Sequence, residues 1–243
     1  NPTTSNYIII NKSTGSATQI KRSNPEINLT KYKYEFIPDY IIMDGTDPSG
    51  SIAALNNFPN ATSILLATKV SEELHSISKR CNYVVANTTF AKALTKMNLE
   101  LNKNKLVVNF MQKIKDLNKA RYIITLGDKG VLYVSDNQVK LLPATLVEKI
   151  EDDSNASPAF FGALCYGLIN NYDIDKAVKI ANITAGLALT TIGSVKSVPE
   201  LSEVLNMAGL KEVIETEEHE NEEESPSTNL PNIKEEEVPA IQV

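Results

Sequence analysis

Five short apolar runs recur along the chain: residues 40–43 (YIIM), 63–67 (SILLA), 83–86 (YVVA), 121–126 (RYIITL) and 130–134 (GVLYV). Stretches of helix length, residues 50–58, 71–79, 90–96 and 104–118, lie between several of them. A strand that is apolar throughout is buried on both faces, and parallel strands need long crossovers to join them. The alternation therefore predicts an α/β fold, a mainly parallel sheet covered by helices on both faces. Residues 174–191 and 199–208 read as two further helices, and residues 7–11 and 17–21, around a KSTG turn, as a hairpin. Ligands of such sheets bind at the carboxyl ends of the strands. The informative loops are thus 44–50, 87–89, 127–130 and 152–158.

The 243 residues, 42% of them hydrophobic, are enough to bury a sizeable core. Charge is unevenly spread. Residues 215–243 hold ten glutamates against Lys234, a local balance of −9 within a net −6, so residues 1–214 come to about +3. The acidic stretch lacks apolar periodicity and reads as a disordered tail over 211–243, able to engage a basic protein partner. The remainder contains only Arg22, Arg80 and Arg121, with no basic stripe, which argues against nucleic acid. No apolar run approaches a membrane span and no signal pattern opens the chain, so the expectation is a soluble, cytoplasmic protein. Cys81 and Cys165 stand far apart without a CxxC or histidine partner, and read as buried free thiols rather than metal ligands. His75 reads as a surface helix residue and His219 as part of the tail. Asp44 and Asp47, in DGTDPSG, read as turn and capping residues.

Residues 151–168 (EDDSNASPAFFGALCYGL) begin like a ligand-binding turn and continue as an apolar helix with small residues interleaved, suited to close packing. Asn155 and Ser157 are good N-cap types, and Pro158 suits a first helical position, where its missing N–H costs nothing.

TLGDKG at 125–130, DDSNASPAFFGAL at 152–164 and ANITAGLALTTIGSVKSVP at 181–199, taken in order, resemble the C-terminal half of the ribokinase-like sugar kinases, the phosphofructokinase B family. The upstream stretch, including TTSNYIIINKSTGSATQI and CNYVVANTTFAKALT, looks most like the ketohexokinase-type branch. The resemblance implies one ribokinase-like domain over 1–210, with 1–24 forming part of a β lid through which relatives pair as homodimers. It also implies that the first βα units and a sugar-site segment belong before Asn1. ATP and Mg²⁺ are the implied cofactors. Thr125, Gly127, Gly130, Asn182 and Asn87 fall where relatives line the nucleotide site, and Gly193 and Ser197 match a loop near which relatives bind a monovalent cation.

The catalytic signature, D-T-x-G-A-G-D-A-F in the family, reads D-D-S-N-A-S-P-A-F here. Asp152 and Ala156 match, and Ser154 is a polar substitute. The anion-hole glycines have become Asn155 and Ser157, flanking Ala156, and the base has become Pro158, which can neither accept a proton nor donate a backbone hydrogen bond. The N-x-x-E element that organises Mg²⁺ and phosphate reads Asn87-Thr88-Thr89-Phe90, an apolar ring in place of the carboxylate. Two expectations follow from the resemblance. One is a degenerate kinase that keeps the fold, with nucleotide and Mg²⁺ binding weakened or lost, acting as a binding or scaffold component. The alternative is an active ATP-dependent sugar kinase in which Asp152 or Asp153 substitutes as base. Asp153 precedes Pro158 by up to about 16 Å of extended chain, so that alternative requires the turn to be rebuilt.

Overall fold

The computed structural model describes residues 5–11, 13, 17–22, 29–31, 33–210 and 240–241. A hairpin of β1 (Ser5–Ile10) and β2 (Ala17–Arg22) opens the chain as a separate two-stranded sheet. The main sheet has the order β3 (Tyr40–Met43), β4 (Thr62–Ala67), β5 (Tyr83–Asn87), β6 (Arg121–Thr125), β7 (Val131–Ser135), β8 (Gln138–Leu142) and β9 (Ala240–Ile241). β3 to β6 are mutually parallel; β7 returns against β6, β8 against β7 and β9 against β8. The remaining residues of the acidic stretch lie outside the described residues, as does His219.

Alternation along each strand divides the core into two layers. Val84 and Ala86 of β5 and Tyr122 and Ile124 of β6 face one side. There they meet α1 (Pro48–Asn57), α2 (Glu72–Ser78), α3 (Thr88–Thr95) and α4 (Asn104–Leu117). Ile64, Val85, Ile123, Val131 and Tyr133 face the other side, against α5 (Ala156–Ile169) and α6 (Ile174–Ala188). α7 (Leu201–Ala208) packs outside α6 through Val204 and Leu205 against Ile180 and Ile183. The second layer reaches β3 only at Tyr40: Ile42, paired with the fully buried Ile64, is 50% exposed. The small residues of α5 act as expected at Gly167, where a Cβ would stand 2.9 Å from that of Ala177 and prevent the close approach to α6.

Two readings are corrected by the fold, those of β8 and His75. β8 has no counterpart among the five apolar runs. His75 is not a simple surface residue: its ring meets Phe90 edge-on at 4.9 Å and its Nε2 is buried without a hydrogen-bond partner among the described residues. Cys81 and Cys165 are buried and free, and burial pushes each thiol up to about 12. No described helix is long and apolar enough to cross a membrane.

One carboxylate ties the antiparallel strands to the helical layer. Asp175, in the first turn of α6, accepts from the Tyr133 hydroxyl at 2.7 Å, the Ser135 hydroxyl at 2.6 Å and Lys140 Nζ at 2.9 Å. Burial raises its carboxyl, but the bonds from Ser135, Lys140 and Tyr133 outweigh that and hold it below the usual value. A depressed folded-state pKa contributes stability above the unfolded value, near 4, and loses it as pH falls through the folded one. Asp175→Asn is therefore expected to lower stability by about 1–3 kcal/mol at pH 7. The gap between wild type and variant, followed by urea denaturation, should narrow steadily below pH 4.

Candidate functional site

The carboxyl ends of β5 and β6 lie side by side, with Asn87 opposite Thr125 in register. Asn87 caps α3: its Oδ1 accepts from Phe90 N–H at 2.8 Å, while its Nδ2 donates to the Thr68 carbonyl at 2.9 Å. Thr88 Oγ donates to the Thr125 carbonyl at 3.3 Å, and Thr125 Oγ to Ala86 O at 3.4 Å, so the two strand ends are laced together. The chain then turns through a 3₁₀ segment, Gly127–Lys129, whose residues are exposed. Gly127 is left-handed at φ 66°, with open space where a Cβ would be. Gly130, at φ 95°, is held against the backbone after β8, where a Cβ would stand 1.9 Å from Leu142 O.

Beyond β8 the backbone runs beside α6 to the turn that begins α5. Buried Asn182 donates its Nδ2 to Pro143 O at 2.7 Å, a Cβ on Gly186 would meet the Thr145 side chain at 2.7 Å, and Glu151 and Asp152 N–H both reach Leu189 O. The nucleotide-site candidates thus fall into two groups: Asn87, Thr125 and Gly127 at the strand ends, and Gly130 and Asn182 bracing the connection from β8. The amides of Asn87 and Asn182 are both occupied by protein carbonyls.

At the turn, the expected start of α5 moves. The helix begins at Ala156, so Pro158 stands at its third position rather than its first, and its ring is exposed. A proline is tolerated there for the same reason, since the first four helical N–H groups lack intrahelical acceptors. Asn155 occupies the N-cap position but makes no capping bond. It is right-handed, at φ −104°, not in the left-handed conformation that would let it imitate a glycine. Its amide is drawn instead to the loop after α6, donating to Ser194 O at 2.7 Å and Ser197 Oγ at 2.9 Å. Ala156 N–H points at Asp153 O, 3.5 Å away, and Ser157 is exposed. Of the three residues expected to form an anion hole, Asn155 has its side chain turned away and Ala156 has its N–H partly engaged.

The two substitute bases are placed differently. Asp152 accepts from Ser154 N–H at 2.9 Å and Gly193 N–H at 3.1 Å. The Ser154 side chain, with the Ser154 and Gly193 backbone N–H groups, holds its carboxyl below the usual range, the wrong direction for a general base. Asp153 is exposed on the turn. Phe90 is 0% exposed and belongs to the core under α2 and α4. Its ring packs into that core and edge-on against His75. Among the described residues, no three His, Cys, Asp or Glu side chains group as a metal site. Asp44 accepts from Thr46 N–H and Oγ, and Asp47 caps α1 through Gly50 N–H; both are turn residues as expected.

A cavity of about 340 Å³ lies behind the turn, between α5, α6 and α7, lined by Asn155, Pro158, Gly162, Tyr166, Thr184 and Val198. A groove of about 1180 Å³ lies elsewhere, near the start of β6 and the β7–β8 turn, and includes Arg121, Tyr122, Asp136 and Asp175. It is remote in the fold from the carboxyl ends of β5 and β6.

Two substitutions separate the jobs of the glycines. Gly127→Ala is expected to cost about 1 kcal/mol, for backbone conformation alone. Gly130→Ala should cost more than the about 1–3 kcal/mol of a strained backbone, because its Cβ also collides with Leu142. Phe90→Glu, although it restores a carboxylate, should cost at least the about 3–5 kcal/mol of removing a buried phenylalanine. Denaturant unfolding checks all three.

The profile described as pfkB family carbohydrate kinase matches residues 17–201, more than half of the chain. Ribokinase from Lactococcus lactis is 33% identical over 93 residues, which is 38% of this chain and 30% of that protein. The fold is similar to ribokinase from Thermotoga maritima, at TM-score 0.70 and 24% identity over 86% of this chain and 70% of the other. It is similar also to Arabidopsis thaliana ribokinase complexed with ribose and ATP, at TM-score 0.65, 16% identity and the same coverages. The chain spans less than two thirds of the length of its Lactococcus relative. By the family match and the shared fold, this chain belongs to the pfkB family of carbohydrate kinases.

Proposed function

We propose that the chain is a degenerate sugar kinase: it keeps the fold and a nucleotide-binding edge at Thr125 and Gly127, has lost phosphoryl transfer, and works as a binding or scaffold component. The observation that carries this reading is the turn at 152–158. Pro158 stands where the family signature has its base, and the Asn155 amide is committed to Ser194 and Ser197 instead of facing the crevice. A positioned base is worth about 10²- to 10⁴-fold in rate, and an anion-hole donor about 10²- to 10³-fold. The burial of Phe90 in the core adds a third loss at the phosphate end, where no step through Mg²⁺ can be derived.

The adenosine end has a different character. Gly127 leaves open space beside the β6 carboxyl end, which suits a planar base or ribose, and the ATP bound by the Arabidopsis relative sets the ligand class. Other features fit a binding role in the cytoplasm. The hairpin exposes Tyr7, Ile9 and Ile20, with Tyr7 paired to Ile20, an apolar patch suited to a second copy. The glutamate-rich stretch offers a separate arm for a basic protein partner.

The test is transfer of labelled γ-phosphate from ATP to ribose or fructose. Wild type should transfer none above background, while Pro158→Asp combined with Asn155→Gly and Ser157→Gly should gain measurable transfer. Wild-type transfer that disappears in Asp153→Asn would contradict the proposal and favour a rebuilt active turn.

A further inference from the structure

The turn before α5 and the loop after α6 are separated by about forty residues and joined by a small closed set of bonds. Asn155 Nδ2 spends both its hydrogens there, on Ser194 O at 2.7 Å and Ser197 Oγ at 2.9 Å. Ser197 Oγ lies 3.4 Å from Ser194 O, to which it donates, and Ser197 N–H donates to Gly193 O at 3.0 Å. From the other side, Gly193 N–H donates to Asp152 Oδ2 at 3.1 Å. Asn155 and Ser197 are both buried, while Ser194, Val195 and Lys196 between them are exposed. Because a carbonyl can only accept, the orientation of the amide is fixed by chemistry.

Two oxygens of an exposed loop, the Ser194 carbonyl and the Ser197 hydroxyl, converge on one buried point, where a hydrogen-bond donor or a cation can meet them. An ion could do so from solvent. Here the partner is covalently part of the chain, the partial positive charge of the Asn155 amide. We infer that Asn155 is a built-in latch that does for the 193–198 loop what a bound cation would do, so that this end of the fold holds its shape whatever cation is present. The inference rests on the latch geometry alone and holds whether or not phosphoryl transfer is lost.

Asn155→Asp separates this role from capping. As an N-cap, Asp is as good as Asn, and the positive helix end favours its charge, so capping alone predicts an unchanged or raised Tm. A latch predicts the opposite. The substitution keeps the shape, replaces two donors by an acceptor facing Ser194 O, and creates an oxygen cluster that needs a cation.

The 243-residue chain would be melted in potassium chloride and in tetramethylammonium chloride at equal ionic strength. Wild type should give the same Tm in both. Asn155→Asp should fall by about 4 °C or more in tetramethylammonium and regain much of that in potassium. Ser197→Ala, which removes one acceptor without adding charge, should show no cation dependence. It should, however, be cut by trypsin after the exposed Lys196 several-fold faster than wild type, with the fragment identified by mass. A wild-type Tm raised specifically by potassium overturns the inference. So does an Asn155→Asp variant that melts like wild type or stays low in both salts, and so does unchanged cleavage at Lys196 in Ser197→Ala.

Discussion

Burial of β4, β5 and β6 on both faces is the constraint from which the rest follows. With Ile64, Val85 and Ile123 under α5 and α6, and Leu65, Val84 and Ile124 under the earlier helices, these strands have no face left for water. Their backbone groups must be satisfied along the sheet, and their connections must climb over it as helices. Parallel order then delivers the loop that follows each of these strands to the same edge. That is why Asn87 stands opposite Thr125, and why the cap of α3 and the turn into Gly127 share one rim.

Much of this architecture is readable because it depends on local pattern. The runs at 63–67, 83–86 and 121–126 are too apolar for half-buried strands, and the structure places them as β4 to β6; run 40–43 becomes β3, although Ile42 is left half exposed. β8 escapes because QVKLL carries a lysine at its centre and is only partly covered. Its signal lay in the preceding dipeptide. Asp136 and Asn137, at φ 51° and 61°, form the kind of two-residue turn that such a pair favours between antiparallel strands. Asn155 stands at the N-cap of α5 without a capping bond, and its amide is put to another use. That use depends on Ser194 and Ser197, about forty positions away, and no local window contains them. His75 likewise reads as a surface residue until α2 and α3 are folded together and Phe90 meets it.

At the site, what can be read is the identity of the substituted residues; what they do instead requires the fold. By the resemblance to the family signature, Pro158 falls where that signature has its base. That Phe90 is a core residue, and that Asp152 is held by Ser154 and Gly193, are tertiary facts. Together they divide the crevice in two. The strand-end half around Thr125 and Gly127 keeps its exposed turn, while the half around residues 152–158 is knitted into the loop after α6. On the proposed reading, the fold survives as a binder because the first half is independent of the second.

The most direct test of that division is calorimetric titration of the 243-residue chain with ATP and with adenosine, each with and without Mg²⁺. If only the adenosine end remains, the two ligands should bind with affinities within about tenfold of each other, and Mg²⁺ should make no difference. Binding of ATP that requires Mg²⁺ and exceeds that of adenosine by about a hundredfold or more would show a working phosphate site and contradict the account.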